Sequence, residues 1–251
     1  MRLDLFLVHN ALVNSRSKAI YFIKSGKVKV NTRIVLKPSF NTNIKDIVEL
    51  IPEFVYVSKG GYKLDSFLNK ISFSVKNKVI LDIGCSTGGF THYFLTHDAK
   101  KVFAIDIAEN ILSKDLYNYN NLIYRDKFDA ANKNQIFKLL NEKKVDVISI
   151  DVSDRSIRDI LVDLFIFLKT SGSIIALFKP HYEGKKGVVS KEDKNKLLSD
   201  FEKWLAISTP YKIIHKLNSS ERGGYNLKGN REIFYLLKLK SNNFKSDNHG
   251  H

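Results

Sequence analysis

The chain has 251 residues, of which 43% are hydrophobic, so it is long enough for one large domain or for a small and a medium-sized domain. Lys and Arg number 41 against 26 Asp and Glu, which gives a formal net charge of +15. This excess favours a polyanionic partner such as a nucleic acid; a membrane surface or a general lysine bias in composition would also account for it. The single cysteine, Cys85, excludes an internal disulfide and a cysteine-based zinc site, no metal is expected, and a reducing, cytoplasmic compartment is indicated.

No stretch of the sequence is typical of a secretory signal or of a membrane span. The apolar run at residues 5–8 is too short for a signal peptide and is followed by His9. The longest apolar region, Ile157 to Phe178, is interrupted by charged residues that include Arg158 and Asp163. We therefore expect no stable insertion into a membrane.

The first 57 residues predict a small domain with two helices and a few strands. Apolar residues at helical spacing indicate a helix over 3–12, and Ser15 is a plausible N-cap of a second helix that ends at Gly26. Strands are predicted over 27–31, 34–36 and 47–51. Basic residues outnumber acidic ones here and cluster on the second helix and the strand after it.

The rest of the chain, after a linker predicted at 51–60, alternates between helical and strand patterns. Helices are predicted at 64–71, 90–96, near Asn110, and at 134–140, 157–168 and 191–205, and strands at 79–83, 101–105, 121–124, 145–150, 173–178, 211–216 and 231–240. Alternating strands and helices indicate a parallel, doubly wound sheet. Residues 241–251 are polar and predict a disordered tail.

A glycine-lined turn follows the predicted strand Val79–Ile83. Glycines stand at 84, 88 and 89, and Ser86 lies between them. Backbone without a Cβ atom can take strained dihedral angles and allows a ligand to approach the main chain closely. Free N–H groups at the start of the following helix can bind polar parts of a nucleoside. The turn therefore predicts a nucleotide-type pocket.

The order of residues in the turn distinguishes between cofactors. Asp82 precedes the first glycine, and Ser86 stands where the dinucleotide fingerprint has its second glycine. This pattern resembles that of S-adenosylmethionine-dependent methyltransferases and disfavours a dehydrogenase. Asp106 ends the next strand about twenty residues later, where an acid would bond ribose hydroxyls. The candidate cofactor-binding residues are Asp82, Gly84, Ser86, Thr87, Gly88, Gly89, Phe90 and Asp106, with Asp126 or Asp129 as the candidate contact to adenine.

Two further polar residues follow apolar strands. Asp151 ends the strand 145–150, and Lys179 ends the strand 173–178. Catalytic residues of open α/β sheets lie beyond the carboxyl ends of strands. A lysine enclosed by apolar strands loses charge stabilisation, so we expect its pKa to be lowered, more so if a second lysine is near. Such a lysine could deprotonate a hydroxyl group while a carboxylate holds it in place.

The N-terminal segment resembles the S4 RNA-binding domain. The resemblance is carried by Arg2-Leu-Asp, Ser15-Arg-Ser-Lys and Gly26-Lys-Val-Lys-Val-Asn. It implies that the helix pair and the following turn bind structured RNA by shape and phosphate contacts, with Arg2, Arg16, Lys18, Lys24, Lys27 and Lys29 as candidate RNA-binding residues. Arg2-Leu-Asp also occurs around the catalytic aspartate of some pseudouridine synthases. Asp4 begins a small helix with no room for a catalytic domain around it, so we interpret it as structural.

The whole chain resembles the TlyA family, which joins an S4 domain to an FtsJ-type ribose 2′-O-methyltransferase. The motifs are Val57-Ser-Lys-Gly-Gly-Tyr-Lys63, Leu81-Asp-Ile-Gly-Cys-Ser-Thr-Gly-Gly-Phe90, Asp151-Val-Ser153, Phe178-Lys-Pro180 and Gly229-Asn-Arg-Glu232. The implied fold class is α/β, a Rossmann-like class I methyltransferase with a doubly wound, mostly parallel sheet over 58–240 and a small α+β S4-like domain over 1–57. The implied catalytic set is Lys63, Asp151, Lys179 and Glu232.

The activity implied by this resemblance is methyl transfer from S-adenosylmethionine to the ribose 2′-hydroxyl of a cytidine in ribosomal RNA. Family members with a short N-terminus tend to act on large-subunit RNA, which favours that substrate here. Lys179 is expected to act as the base or to orient the oxygen, Asp151 to position Lys179, and Lys63 and Glu232 to form an outer pair. The implied partners are ribosomal RNA and the ribosomal subunit.

The sequence departs from the family pattern near the expected site. Asp154-Arg-Ser-Ile stands where apolar residues usually follow Asp151-Val-Ser, Ile107-Ala-Glu-Asn-Ile-Leu112 replaces the family's Gly and Gln, and Lys179-Pro-His-Tyr-Glu replaces Lys-Pro-Gln-Phe-Glu. These changes concern the adenosine contacts and the substrate nucleotide more than the fold. They leave open a ribosome-binding or assembly protein that has lost turnover. A membrane-active haemolysin, a label that the family carries, is a further alternative.

Overall fold

The computed structural model describes residues 1–13, 15–43, 45–51, 56–183, 190–222 and 231–241. The chain divides into two compact units, Met1–Val55 and Tyr56–His251. Residues 52–55 of the predicted linker and residues 242–251 of the predicted tail lie outside the described residues. Residues 59 and 60 of the predicted linker already belong to a helix.

The N-terminal unit packs two helices on a small antiparallel sheet. The helices are α1 (Leu3–His9) and α2 (Arg16–Lys24), and the strands are β1 (Val28–Val30), β2 (Arg33–Ile34) and β3 (Val48–Leu50), in the order β2-β1-β3. Ser15 caps α2 as predicted, since its hydroxyl oxygen accepts a hydrogen bond from the Lys18 N–H at 3.3 Å. Gly26 follows the helix with φ +70°, a conformation that favours glycine. The core joins both helices to β1 through Leu3, Leu7, Ile23 and Val28.

Asp4 is a structural residue, as its place in the sequence predicted. Its side chain is fully buried. The carboxylate accepts hydrogen bonds from Arg2 Nε at 3.0 Å and from Arg16 Nε at 3.0 Å. These guanidinium groups lower the pKa of Asp4 to about 2, Arg2 having the larger effect, in opposition to burial. The ion pairs connect the starts of α1 and α2.

The second unit is built on a seven-stranded sheet. Its strands are β4 (Val79–Ile83), β5 (Lys101–Ile105), β6 (Leu122–Arg125), β7 (Val145–Ile150), β8 (Leu168–Phe178), β9 (Tyr211–Arg222) and β10 (Arg231–Leu239). Their order is β6-β5-β4-β7-β8-β10-β9, and only the two pairings of β10 are antiparallel. From β4 the chain runs outward through β5 to β6. From β7 it runs in the other direction through β8 to the edge strand β9, and β10 then returns between β8 and β9. The carboxyl ends of β4 and β7 therefore border the switch point at which such sheets bind ligands.

Helices cover both faces of this sheet. They are α3 (Lys59–Lys70), α4 (Gly89–Thr96), α5 (Lys133–Leu140), α6 (Ile157–Leu161), α7 (Pro180–Glu183) and α8 (Lys191–Ser208). Neighbouring strand residues alternate between two apolar clusters: Leu81 packs in the cluster with α5 and α8, and Ile80 in the cluster with α3 and α4. The near-continuous apolar strands are thus explained by burial on both faces. Among the described residues, no helix combines the length and apolar character of a membrane span.

Several predicted helices differ from the structure. The helix predicted over 3–12 ends at His9, and the helix predicted over 64–71 begins at Lys59. The helix expected near Asn110 is replaced by a short 3₁₀ turn, Lys114–Leu116. Asn110 has φ +53°, a left-handed conformation that does not continue a right-handed helix. The helix expected over 157–168 ends at Leu161, and a 3₁₀ turn with buried Leu164 and Phe167 follows. In a 3₁₀ turn, residues three apart lie on one face, so this spacing buries both side chains.

Candidate active site

At Gly84 the turn after β4 passes close to Asp151, which follows the end of β7. The φ of Gly84 is +75°, and a Cβ atom added there would lie 2.9 Å from the backbone oxygen of Asp151. Glycine is therefore required at this position by both conformation and space. Cys85 follows it as a buried side chain, and burial raises the pKa of its thiol. Cys85 packs in the apolar cluster that also contains Ile80 and Phe94.

Gly88 and Gly89 are required by packing within the protein. Gly88 has φ +94°, and a Cβ atom there would lie 2.3 Å from Leu116 Cδ1. A Cβ atom on Gly89 would lie 2.2 Å from Ser58 Oγ, beside the start of α3. Both glycines thus bring the start of α4 against neighbouring segments. Neither lines the cavity described below.

Thr87 and Phe90, also predicted to bind the cofactor, have partners within the protein. The Thr87 carbonyl accepts a hydrogen bond from the Ser113 N–H at 3.2 Å. Phe90 is buried, and its ring stacks on Phe234 at a centroid distance of 6.0 Å. Neither residue lines the cavity. Both contribute to the support of the turn in this structure.

Asp82 lies beneath the turn with no exposed surface. One carboxylate oxygen accepts a hydrogen bond from Thr91 Oγ1 and the other from Ser149 Oγ, both at 2.6 Å. Burial raises its pKa to about 6, although the two hydroxyl groups act in the opposite direction. Asp82 therefore connects β4 to α4 and to β7, and any effect on a ligand is transmitted through these contacts.

Asp106, at the end of β5, organises the edge of the pocket. Its carboxylate accepts hydrogen bonds from the Ser86 N–H at 2.7 Å and from the Ala108 N–H at 2.8 Å. The two donors lie in the loops after β4 and β5. Each carboxylate oxygen retains a further lone pair, so the group can still accept hydrogen bonds from a ligand.

A cavity of about 180 Å³ opens at the carboxyl ends of β4, β5 and β7. Its apolar lining includes Ile105, Ile107, Ile111 and Phe128. Among the described residues, its charged lining consists of Asp106, Asp129, Asp151, Asp154 and Arg155. Four carboxylates against one guanidinium favour a cation and disfavour a pyrophosphate. The apolar lining suits a flat aromatic ring. The lining thus fits S-adenosylmethionine, which carries an adenine and a sulfonium, better than it fits a dinucleotide.

The two candidates for the adenine contact lie in different places. Asp129 lines the cavity, whereas Asp126 lines a separate depression and accepts a hydrogen bond from the Asn110 N–H at 3.1 Å. Arg155 bridges Asp129 and Asp154, with Nη1 and Nε each 2.9 Å from a carboxylate oxygen. Its neighbours raise the pKa of Arg155, so it stays charged. The charges that replace the family's apolar residues are therefore paired with one another.

Lys179 and Asp151 form an ion pair at the edge of the cavity. Lys179 Nζ lies 2.6 Å from Asp151 Oδ1, and the lysine side chain is only 13% exposed. Burial acts to lower the pKa of Lys179, but Asp151 and Glu232 together outweigh it and the net shift is upward. The expected lowering of this pKa was wrong, because two carboxylates surround the lysine. The ammonium form is therefore favoured, and it can donate hydrogen bonds.

Lys63 and Glu232 form the second ion pair of the predicted set. Lys63 comes from α3 and Glu232 from β10, and their Nζ and Oε2 atoms lie 2.7 Å apart. Both side chains are largely buried, at 13% and 5% exposure. Because Glu232 also interacts electrostatically with Lys179, all four predicted residues belong to one cluster. Asp151 is the member that also lines the cavity.

Neither a role for Glu183 nor the bridge that Arg155 forms between Asp129 and Asp154 was predicted from the sequence. Glu183 accepts hydrogen bonds from Ser156 Oγ at 2.5 Å and from the Ile157 N–H at 2.7 Å, at the start of α6. It thereby connects the segment after Lys179 to the segment after Asp151. Ser156 preceding an apolar helix was the available signal for a helix start there.

The candidate RNA-binding residues lie in the N-terminal unit. Lys18 and Lys24 are exposed on α2, and Lys27 and Lys29 are partly exposed at β1. Arg2 and Arg16 each hold Asp4, while 44% and 55% of their side chains remain exposed. These two arginines thus have a structural contact with Asp4 in addition to their predicted contact with RNA.

Two domain families match this chain. Residues 56–199 match the FtsJ-like methyltransferase family, and residues 1–48 match the S4 domain. Hemolysin A of Brachyspira hyodysenteriae is 38% identical over 191 residues, which cover 76% of this chain and 79% of that protein. The 23S rRNA (cytidine-2′-O)-methyltransferase TlyA of Campylobacter jejuni is 33% identical over 266 residues, which cover 94% of this chain and 98% of that protein.

Solved structures agree with these matches. A candidate hemolysin from Streptococcus thermophilus superposes with a TM-score of 0.69 at 27% identity, covering 96% of this chain and 89% of that one. An S-adenosylmethionine-dependent methyltransferase from Listeria monocytogenes, at 16% identity and a TM-score of 0.54, supports the fold alone. The predicted family and fold class are confirmed. The chain belongs to the FtsJ-like methyltransferase family, in its TlyA branch, where an S4 domain precedes the methyltransferase domain.

Proposed function

We propose that the protein transfers a methyl group from S-adenosylmethionine to the 2′-hydroxyl of a cytidine in ribosomal RNA. The observation that carries the proposal is the position of Asp151, which lines the acidic cavity and also pairs with Lys179. A cavity suited to a cationic cofactor thus meets a cluster of buried lysines and carboxylates. The relative named as a 23S rRNA (cytidine-2′-O)-methyltransferase supports the choice of acceptor.

On this proposal the cofactor occupies the cavity, with Asp106 and Asp129 toward its adenosine. When bound, it supplies a methyl group already activated by the sulfonium. The protein has to hold the acceptor oxygen in line with that methyl group, which is catalysis by positioning. Asp82 and the glycines of the turn support the cavity from behind. Asp126 is not assigned to the cofactor.

Lys179 is assigned to the acceptor hydroxyl. With its pKa raised, it is an ammonium at neutral pH, and its N–H groups can orient the oxygen lone pair. Asp151 fixes the position of that ammonium at 2.6 Å. The pair Lys63 and Glu232 adds one positive and one negative charge, and Glu232 interacts electrostatically with Lys179. The hydroxyl proton would leave to solvent. As the oxygen–methyl bond forms, the sulfur–methyl bond would break, and the cofactor would leave as the neutral thioether S-adenosylhomocysteine.

The N-terminal unit is assigned to RNA capture. Lys18, Lys24, Lys27 and Lys29 form a basic surface on α2 and β1, and Arg2 and Arg16 add partly exposed guanidinium groups. Contacts of this kind bind the phosphate backbone and position the RNA without reading its sequence. Large-subunit RNA is the expected substrate.

The test uses purified protein, tritiated S-adenosylmethionine and separated ribosomal subunits. The wild type should label large-subunit RNA at a ribose 2′-oxygen, Lys179→Ala should reduce the rate by at least a hundredfold, and the exposed Lys138→Ala should leave it unchanged. Absence of label with the wild type, despite cofactor binding, would contradict the proposal. Full activity of Lys179→Ala would remove the assignment of Lys179 only.

A pH–rate profile separates the two roles of Lys179. If the ammonium orients the oxygen, the rate stays level around neutral pH. If the neutral amine is the base, the rate rises about tenfold per pH unit until the pKa of Lys179 is reached.

The alternative of a ribosome-binding or assembly protein without turnover rests on the substitutions around Asp154 and Ile111. Asp154 and Arg155 form an ion pair with each other, and Ile111 contributes to the apolar lining of the cavity, so none of these residues leaves an unpaired charge there. The same assay tests this alternative, which predicts subunit binding without labelled RNA. Lysis of lipid vesicles by the purified protein would instead favour the activity in the name of the Brachyspira relative.

A further inference from the structure

A second cavity lies at the opposite end of the sheet. It has a volume of about 630 Å³ and is bordered by the starts of β4, β5 and β7, at Val79, Lys101 and Val145. The active-site cavity lies at the carboxyl ends of the same strands. Since β4 has five residues and a strand rises about 3.3 Å per residue, the two ends are about 16 Å apart.

Lysines surround this second cavity. They are Lys100, Lys101, Lys143, Lys144 and Lys169, and among the described residues no Asp or Glu lines it. The nearest acids in the chain are Glu142 and Asp146. Asp146 is already engaged, since it accepts hydrogen bonds from Lys169 Nζ and from the Val79 N–H, both at 2.8 Å. We name this feature the lysine-lined cavity.

Three of these lysines are uncompensated. Lys100, Lys143 and Lys144 are exposed, and no ion pair between described residues involves them. Lys101 differs, because its Nζ lies 5.2 Å from the centre of the Phe103 ring. Three unpaired ammonium groups on two different loops make a local positive field that attracts a polyanion.

The base of the lysine-lined cavity is apolar. Phe103, Ile123, Leu139 and Leu140 contribute to its lining. A free phosphate would not use such a surface, whereas a nucleotide chain presents phosphates along its backbone and the apolar faces of riboses or bases between them. Lysines act as point charges without the fork geometry of arginine, so they suit backbone contacts that do not read sequence.

We propose that the lysine-lined cavity is a second RNA-contact surface, which binds the phosphodiester backbone of ribosomal RNA at the end of the sheet opposite to the transfer site. This inference rests on the proposed function. One RNA that reaches both ends must follow the side of the domain, so the surface favours a large folded RNA over a short oligonucleotide.

The test compares two full-length variants with equal changes in charge. K100Q/K143Q/K144Q removes the three uncompensated charges, and K196Q/K203Q/K212Q removes three exposed lysines of α8 and β9 as the matched control. Binding to large ribosomal subunits is measured over a series of KCl concentrations. Each lost phosphate contact reduces the slope of log K against log salt by about 0.7 to 0.9, so the slope of the first variant should fall by about 2 to 3. If the two lines meet near 1 M KCl, this slope change corresponds to a loss of at least about a hundredfold in affinity at 0.1 M KCl.

Further measurements distinguish the outcomes. Affinity for S-adenosylhomocysteine should be equal in wild type and both variants, and K100R/K143R/K144R should bind RNA like the wild type. Equal losses in test and control variants would overturn the inference, since net charge alone would then explain them. Loss of binding to phosphatidylglycerol vesicles, with RNA binding intact, would overturn it in favour of a lipid surface. If the wild type binds no ribosomal RNA, the proposed function fails first.

Discussion

The buried carboxylate of Asp82 makes a pH-dependent contribution to stability that can be isolated by one substitution. In the folded protein its pKa is raised from 3.8 to about 6, chiefly by burial. The protonated form is therefore favoured in the folded state relative to the unfolded chain. Between about pH 4 and pH 6 the folded state binds more protons, so this group makes stability fall as pH rises.

The magnitude follows from the size of the pKa shift. A difference of about two units corresponds to about 3 kcal/mol at 1.36 kcal/mol per unit. Asp82→Asn is neutral at all these pH values, and its amide can accept a hydrogen bond from one hydroxyl and donate one to the other, at Thr91 and Ser149. We expect the variant to be up to about 3 kcal/mol more stable than the wild type above pH 7 and equal to it near pH 4.

The assay is urea unfolding over pH 4 to 8, followed by the fluorescence of the only tryptophan, Trp204, which lies in α8 of the methyltransferase unit. The difference between wild type and Asp82→Asn cancels the titration of other groups, such as the histidines. Asp98→Asn, at an exposed position, is the control and should run parallel to the wild type. Parallel curves for wild type and Asp82→Asn would refute the raised pKa.

Two further substitutions test the turn and the cavity. Gly88→Ala should lower the free energy of unfolding by about 2 to 4 kcal/mol, since it combines φ +94° with a clash against Leu116, whereas Gly60→Ala meets only ordinary contacts and should not; equal urea midpoints would contradict this. Arg155→Met removes the positive charge that lies beside Asp129 in the cavity lining, so calorimetry should show the preference for S-adenosylmethionine over S-adenosylhomocysteine increasing several-fold. An unchanged ratio would show that Arg155 does not face the sulfonium.

Local sequence patterns were enough for the parts of the fold that depend on neighbouring residues. Ser15 and Gly26 indicated the ends of α2, and the apolar strands ending in Asp106 and Asp151 indicated the sheet and its edge. Each of these signals lies within one element. The alternation of buried strands and helices then leaves few arrangements of the sheet.

Features of the site that depend on contacts between residues far apart in the sequence were harder to predict. The resemblance placed Lys63 and Glu232 in one set, but only the folded chain shows them 2.7 Å apart across 169 positions. The direction of the pKa shift of Lys179 was wrong because spacing does not reveal which carboxylates face a buried amine. The sequence also did not show that Arg155 spans two loops, since its partner Asp129 is 26 positions away.

Packing also assigned several turn residues differently from the prediction. The prediction from the motif assigned all three glycines of the turn to cofactor binding. In the structure Gly84 faces the cavity, whereas Gly88 and Gly89 meet Leu116 and Ser58. Steric demand inside the protein can therefore account for part of a pattern that looks like a ligand signature.

The solitary cysteine makes the turn observable by thiol-exchange kinetics. Cys85 is 4% exposed, and its thiolate is disfavoured in the folded state, so a disulfide reagent can react only after the turn opens. With no other thiol in the chain, every labelled molecule reports that one opening event. The labelling rate therefore measures how often the turn opens. A ligand that binds only the closed turn slows the labelling, and the degree of slowing gives the affinity of the ligand without a catalytic assay.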